Sequence, residues 1–329
     1  MSQVEQKPRG RRVGRRFLAL AALCTACESL FFYHLNHLLV SQQTASQREI
    51  QAALHRRAQL ELLQLKREYA GVTVSPNGEY ATYVTSDSSG WDTVHVVQLD
   101  TGTQVSEATD LYPVQYVDWL GNAEVFVGEE RSPGNLELNT FYVSNGLQAD
   151  ETAASVPVFS NLSPDARIVK VTYSTETNDI FVLIEAGGSS EVYHVGTMET
   201  IQPVTVPPGY IKNIAMTETG DNLYLEINQG GQWNVVRLYQ TPQTSSYTPE
   251  FQMDWQLVKS NAALLGVVGN TLYYGTVNAG GLVTAVYRQT SGGDQLVRQL
   301  AQPALASEIA ISSSGSIALN PPAMTNVEV

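Results

Sequence analysis

From residue 71 onward the chain is a series of short β-rich runs cut by turn residues. Val72 and Val74 lead into Ser75-Pro76-Asn77-Gly78. Glu79–Val84 and Thr93–Leu99 then read as strands across the Ser86–Gly90 loop, and Asp100-Thr101-Gly102 turns into a further strand. Proline presets φ for such a turn, and Asn and Gly accept its unusual backbone angles. Comparable turns follow at Leu120-Gly121-Asn122, Ser163-Pro164-Asp165-Ala166, Thr219-Gly220-Asp221-Asn222, Val268-Gly269-Asn270 and Ser313-Ser314-Gly315. Measured from Gly78 through Asn122, Ala166, Gly220, Asn270 and Ser314, the intervals are 44, 44, 54, 50 and 44 residues. Three or four short strands per repeat make one blade, and a period of this size predicts an all-β domain, a six-bladed β-propeller over residues 71–329. After Ser314 only Ser316–Leu319 and Asn326–Val329 supply strands. The last blade is therefore expected to be short. It would be closed by a segment near Tyr69, covered by the preceding helix or completed by a partner's strand.

The first seventy residues have a different pattern. Ser41 to Tyr69 contains no Gly or Pro and is rich in Gln, Ala, Leu, Arg and Glu. This predicts a helix, a stalk over residues 41–70. Ile50, Leu54, Ala58, Leu62, Leu65 and Tyr69 step by 4, 4, 4, 3 and 4 to form one apolar stripe. The stripe would meet a partner helix, from another protein or a second copy, or dock on the chain's own propeller. Before it, Phe17–Val40 is an apolar run of 24 residues. As a helix it would reach about 36 Å, enough to span a bilayer with some tilt. Six basic residues precede the run in a tail of residues 1–16, and only Arg48 lies within ten residues after it. This bias predicts a single-pass signal-anchor with a cytoplasmic N-terminus and an extracytoplasmic propeller. Ala21, Thr25, Glu28, Ser29 and Asn36 fall on one side of that helix. Small residues four apart let helices approach closely, and polar groups there hydrogen-bond across, so this side is expected to dock on another membrane helix.

Val74-Ser75-Pro76-Asn77-Gly78-Glu79-Tyr80, a loop, and then Val96-Val97-Gln98-Leu99-Asp100-Thr101-Gly102 resemble the blade repeat of the periplasmic Tol-system (TolB-type) propeller. Propeller domains of prolyl-oligopeptidase-type peptidases carry a similar repeat. Leu162-Ser163-Pro164-Asp165, Gly220 with Asn222-Leu223-Tyr224-Leu225, and Gly269-Asn270-Thr271-Leu272-Tyr273-Tyr274 extend the resemblance; the second and sixth repeats add only spacing. The resemblance implies a propeller. It carries no catalytic residue across, because those peptidases hold catalysis on a separate hydrolase domain.

Charge sharpens this picture. Residues 1–70 hold eleven Lys/Arg and five Glu, so of the chain's 19 basic and 32 acidic residues, 8 and 27 fall in residues 71–329. A domain near −19 repels nucleic acid, which excludes that partner class. Both cysteines, Cys24 and Cys27, lie in the apolar run, so no disulfide framework is expected in the propeller. His95 and His194 each sit inside a strand pattern and read as structural. No nucleophile elbow, phosphate loop, metal-ligand spacing or cofactor motif is present. Asp87, Asp92, Asp100 and Asp110 gather near the first repeat and read as solvated carboxylates. Trp91 and Trp233 follow glycines at loop-to-strand junctions. They would either wedge between blades or stand out as contacts on a propeller face. The resulting expectation is a non-enzymatic, membrane-anchored scaffold that binds envelope proteins through anchor, stalk and propeller face. The alternative is a sensor for a peptide, glycan or other small ligand at the propeller channel.

Overall fold

The structure is a computed structural model and describes residues 30, 32–33, 47–145, 148–149, 157–196, 200–240, 251–290, 292–312 and 314–319. It divides into two units, Met1–Gln59 and Leu60–Val329. In the first, residues 47–59 are helical. Ile50 is 58% exposed, while Leu54 and Ala58 are half-buried. Among the described residues no helix is long and apolar enough to cross a membrane. The expected span lies outside the described residues apart from Leu30, Phe32 and Tyr33, and so do Ala21, Thr25, Glu28, Ser29 and Asn36.

The second unit opens with the end of the same helix, α1 (47–68), and its described residues continue as six antiparallel sheets. Sheet 1 comprises β1 (Thr73–Val74), β2 (Tyr80–Ser86), β3 (Asp92–Gln98) and β4 (Thr103–Leu111). Sheet 2 holds β5 (Val114–Leu120), β6 (Glu124–Ser132), β7 (Asn135–Tyr142) and β8 (Gln148–Ala149), with β9 (Val158–Phe159) also paired to β7. Sheet 3 is β10 (Arg167–Tyr173), β11 (Ile180–Ala186), β12 (Ser189–Val195) and β13 (Ile201–Pro203). Sheet 4 is β14 (Tyr210–Met216), β15 (Asn222–Gln229), β16 (Gln232–Tyr239) and β17 (Asp254–Ser260). Sheet 5 is β18 (Ala262–Val268), β19 (Thr271–Val277), β20 (Val283–Thr290) and β21 (Gly293–Ala304). Sheet 6 has two strands, β22 (Ile309–Ile311) and β23 (Ile317–Leu319). The first strands lie side by side in the order β1, β5, β10, β14, β18, β22, the arrangement of propeller blades.

Each sheet is packed against the next, which explains why the central strands are apolar without interruption. In β11, Phe181 and Leu183 enter the core shared with sheet 4, while Val182 and Ile184 enter the core shared with sheet 2. A strand covered on both faces has no reason to alternate with polar residues. The first strands share a second regularity. β5, β10, β14 and β18 each carry a bulge near their start, with Gln115, Val169, Lys212 and Leu265 as the extra residue. A bulge bends the strand and increases its twist. In three of the four strands, the amide just before the bulge is caught by a side chain of the preceding sheet. Asp92 Oδ2 accepts from Val114 N at 2.6 Å, Ser190 Oγ from Ile211 N at 2.5 Å, and Glu226 Oε2 from Leu264 N at 2.9 Å. Asp92 is therefore a buried inter-sheet tie and not the solvated carboxylate expected from sequence.

The repeat turns need one correction. Five of them join the first and second strands of their sheets. Ser163–Ala166 does form a turn, with Ala166 N donating to Ser163 O at 2.9 Å, but it precedes β10. It lies at the other end of sheet 3, where Asp165 accepts from Gly187 N at 3.0 Å in the β11–β12 hairpin. The equivalent turn in sheet 3 is Ser174–Asp179, closed by Ser174 N to Asp179 O at 3.0 Å with Asn178 at φ 58°. It has no Pro or Gly to mark it.

The side of sheet 1 turned away from sheet 2 is covered by the end of α1. Tyr80, Val84, Val94 and Val96 face sheet 2, so strand alternation places Ala81, Tyr83, His95 and Val97 on the opposite side. There Tyr69 stacks on Tyr83 at 4.1 Å, Tyr83 stacks on His95 at 4.6 Å, and Leu65 is 6% exposed. His95 Nε2 bonds Thr85 Oγ1 at 2.8 Å. Of the sequence-predicted stripe, Leu65 is buried here, and Leu62 and Tyr69 are half-buried.

Candidate functional site

The two ends of the sheets are chemically distinct. Turns between first and second strands are bonded to one another from sheet to sheet. Asn77 N donates to Asn122 Oδ1 at 2.9 Å, Ser174 Oγ to Glu218 O at 2.6 Å, Glu218 N to Gly269 O at 3.0 Å, and Thr219 N to Asn270 Oδ1 at 3.2 Å. Gly121 N donates to the Tyr173 hydroxyl at 2.7 Å. These bonds gather the turns at one end, the turn end. The hairpins between second and third strands therefore lie at the other, the hairpin end.

Trp91 and Trp233 are both at the hairpin end, in sheets 1 and 4. Asp87 holds the first: its Oδ1 accepts from Trp91 N at 3.0 Å and from Ser89 N at 2.7 Å, which fixes the hairpin and leaves Trp91 40% exposed. Its ring lies 5.3 Å from Tyr112, tilted by 49°. Arg131, on the β6–β7 hairpin, places its guanidinium 5.5 Å from the centre of the Tyr112 ring, while its Nε pairs with Glu137 Oε2 at 2.8 Å. Asn139 Nδ2 bridges Glu137 Oε1 at 3.2 Å and Glu129 Oε1 at 2.7 Å, and Glu129 Oε2 accepts from Tyr112 N at 2.9 Å. The set closes on itself, so the exposed indole stands on a braced platform. Burial pushes the Glu129 carboxyl above the usual carboxylate range, against its hydrogen bonds from Asn139 and Tyr112.

Trp233 is held differently. Tyr210 meets it edge-on at 6.4 Å, and the Lys212 ammonium lies 5.3 Å from its ring. Lys212 Nζ pairs with buried Glu226 at 3.0 Å, the carboxylate that also ties Leu264 N. Next to it, Arg167 grips Glu185 through Nε at 3.0 Å and Nη2 at 2.6 Å, which holds the Glu185 carboxyl below its usual range. Trp233 thus sits directly beside a cation that a carboxylate neutralises, whereas for Trp91 the cation lies over the neighbouring Tyr112 ring. A tilted ring contact orients Trp91, and an edge-on ring contact with a cation–π contact orients Trp233.

His95 and His194 both lie in strands, β3 and β12. His194 is 6% exposed and bonds Asp179 Oδ1 through Nε2 at 2.6 Å. Among the described residues no three His, Cys, Asp or Glu side chains gather as a metal site. The sequence reading missed Tyr112, Arg131, Tyr210 and Lys212. Each is remote in sequence from the tryptophan it supports: Tyr210 and Lys212 reach Trp233 through strand pairing within sheet 4, and Arg131 reaches Tyr112 from sheet 2.

No protein-family model matches the chain, and no curated protein matches it in sequence. Solved structures do match. A prolyl endopeptidase superposes with a TM-score of 0.52 at 13% identity, over 76% of this chain and 41% of its own. The chain thus spans about two fifths of that enzyme's length. The β-propeller domain of Cps50 (Swd1) from Myceliophteria thermophila gives 0.44 at 13% identity, covering 71% of this chain and 72% of its own. TolB from Acinetobacter baumannii gives 0.41 at 12% identity, with coverages of 69% and 54%. The neighbours include an enzyme, so shape leaves the presence of a reaction open. At these identities the likeness is one of architecture, and it meets the resemblance carried by the Ser75–Gly78 repeat: the chain has the fold of a β-propeller.

Proposed function

We propose that the protein is a non-enzymatic, single-pass membrane-anchored propeller of six blades. It binds other proteins in a cell-envelope complex through its hairpin end. The observation that carries this reading is Trp91, an exposed indole on a braced Tyr112–Arg131–Glu137 platform. Exposed aromatics beside arginine dominate the energetics of protein interfaces, whereas a residue held rigidly but buried would serve packing alone. The acidic excess of residues 71–329 favours a partner with a basic surface. In this reading residues 17–40 are the anchor, with Ala21, Thr25, Glu28, Ser29 and Asn36 facing another membrane helix. Residues 1–16 are cytoplasmic, and the propeller lies on the opposite side of the membrane.

The test is affinity purification of the tagged full-length protein from mild detergent, beside Trp91→Ala, Trp233→Ala and a chain beginning at residue 47. Truncation there keeps Leu65 and Tyr69, which cover sheet 1. Partners retained by the truncation and lost by Trp91→Ala support recognition at the hairpin end. Partners lost by the truncation alone move recognition to the membrane helix. Partners indifferent to all three changes contradict the proposal.

A further inference from the structure

A second site is present at the turn end, and it does not depend on the protein-binding reading. A cleft of about 360 Å3 opens there around the end of sheet 4 and reaches the Ser174–Asp179 turn of sheet 3. This is within the size range of small-ligand sites. Its walls include Thr177, Asp179, Asp221, Asn222, Arg237 and Tyr239. Gly220 brings the two turns together: it sits at φ 77°, and a Cβ there would lie 2.5 Å from Thr177 Oγ1.

Of the eight Lys and Arg after residue 70, five pair with carboxylates: Arg131, Arg167, Lys170, Lys212 and Lys259. Arg237 does not. Its Nη2 donates to the Gln256 amide at 2.7 Å, its guanidinium lies 5.1 Å from the centre of the Tyr239 ring, and its buried Nε has no partner. In a domain with more than three acids per base, a guanidinium left without an anion is poised for a carboxylate brought by a ligand. A simple anion would not suit the cleft, because Asp179 and Asp221 also line it. Asp179 is fixed by His194, whose ring stacks on Phe251 at 3.9 Å. That hydrogen bond holds the Asp179 carboxyl below its usual range. A site with one free guanidinium and two carboxylates matches a ligand bearing both signs.

We propose that this cleft binds a free α-amino acid, its carboxylate on Arg237 and its ammonium on Asp221 and Asp179. The zwitterion fits both signs of charge at once, whereas a monovalent acid or amine meets repulsion from one wall.

The experiment is titration calorimetry and thermal unfolding of the full-length protein in detergent with each of the common L-amino acids. Propionate and ethylamine at matched ionic strength serve as half-ligands. At least one amino acid should bind saturably and raise the midpoint, and neither half-ligand should. Arg237→Gln and Asp221→Asn should each weaken that binding about tenfold or more. Asp221 is exposed, so its variant tests the proposal even where Arg237→Gln folds poorly. Equal response to propionate, unchanged binding by a folded Asp221→Asn, or no saturable response to any amino acid overturns it.

Discussion

The two ends of the sheets use similar residues for different purposes. At the turn end, short polar side chains and backbone groups bond across from one sheet to the next in a repeating scheme. At the hairpin end, each feature occurs once: Trp91 stands on Tyr112 and Arg131, and Trp233 stands beside Tyr210 and Lys212. What recurs from sheet to sheet serves the fold, because every blade must solve the same packing problem. What occurs once is free to serve recognition. The cleft beside Arg237 fits the same rule, since it breaks the regularity of the turn end at one place.

The comparison can be broken most severely at the turn end. Gly220→Ala should destabilise the domain by about 2–3 kcal/mol, because it adds left-handed strain and drives a methyl into Thr177. Denaturant midpoints measure this directly. A Gly220→Ala protein as stable as the parent would mean that the turns are not closely packed. At the hairpin end, Trp91→Ala should cost partner binding about 2 kcal/mol or more while costing stability less, since the indole is 40% exposed. A stability loss as large as the binding loss would identify Trp91 as packing. Asn122→Ala, which removes one bond between exposed turns, should cost about 1 kcal/mol and leave partner binding intact.

The smallest effect is a difference in pH response between two carboxylates, buried Glu129 and half-buried Asp179. Glu129 at the hairpin end is raised by burial, so the folded protein holds that proton more tightly than the unfolded chain does. Its contribution is fully present below the ordinary Glu value and is lost as pH rises through the folded value. Asp179 at the turn end is lowered by its bond to His194. Its contribution is present above the ordinary Asp value and is lost as pH falls through the folded value. Stability curves from about pH 3 to about pH 7 should therefore change in opposite senses for Glu129→Gln and Asp179→Asn. A common change would show that neither pair acts through its proton.

Much of the architecture was legible because it is written locally. Pro, Asn and Gly at Ser75–Gly78 mark a turn whatever surrounds them, and an unbroken run of helix formers before Tyr69 marks a helix. The third repeat was misplaced for the same reason. Ser163-Pro164-Asp165 is a stronger local signal than Ser174–Asp179, yet nothing local says at which end of a sheet a turn lies. The bulges at Gln115, Val169, Lys212 and Leu265 recur more faithfully in the structure, but their residue types have nothing in common. The sites were legible only in part. A tryptophan after glycine drew notice at Trp91 and Trp233, whereas Arg131 is forty residues from Trp91, and Asp179, Asp221 and Arg237 come from three separate segments.

The stack of Tyr69 on Tyr83 and His95 has a mechanical meaning. The first strand after the helix, β1, is only two residues long and holds by the pairs Thr73 with Thr82 and Val74 with Ala81. A pull on the helix reaches Leu65 and the three rings before it reaches that short strand. The stack works as strain relief does on a cable, taking the tension at the entry point so that the first stitch of the sheet is spared it.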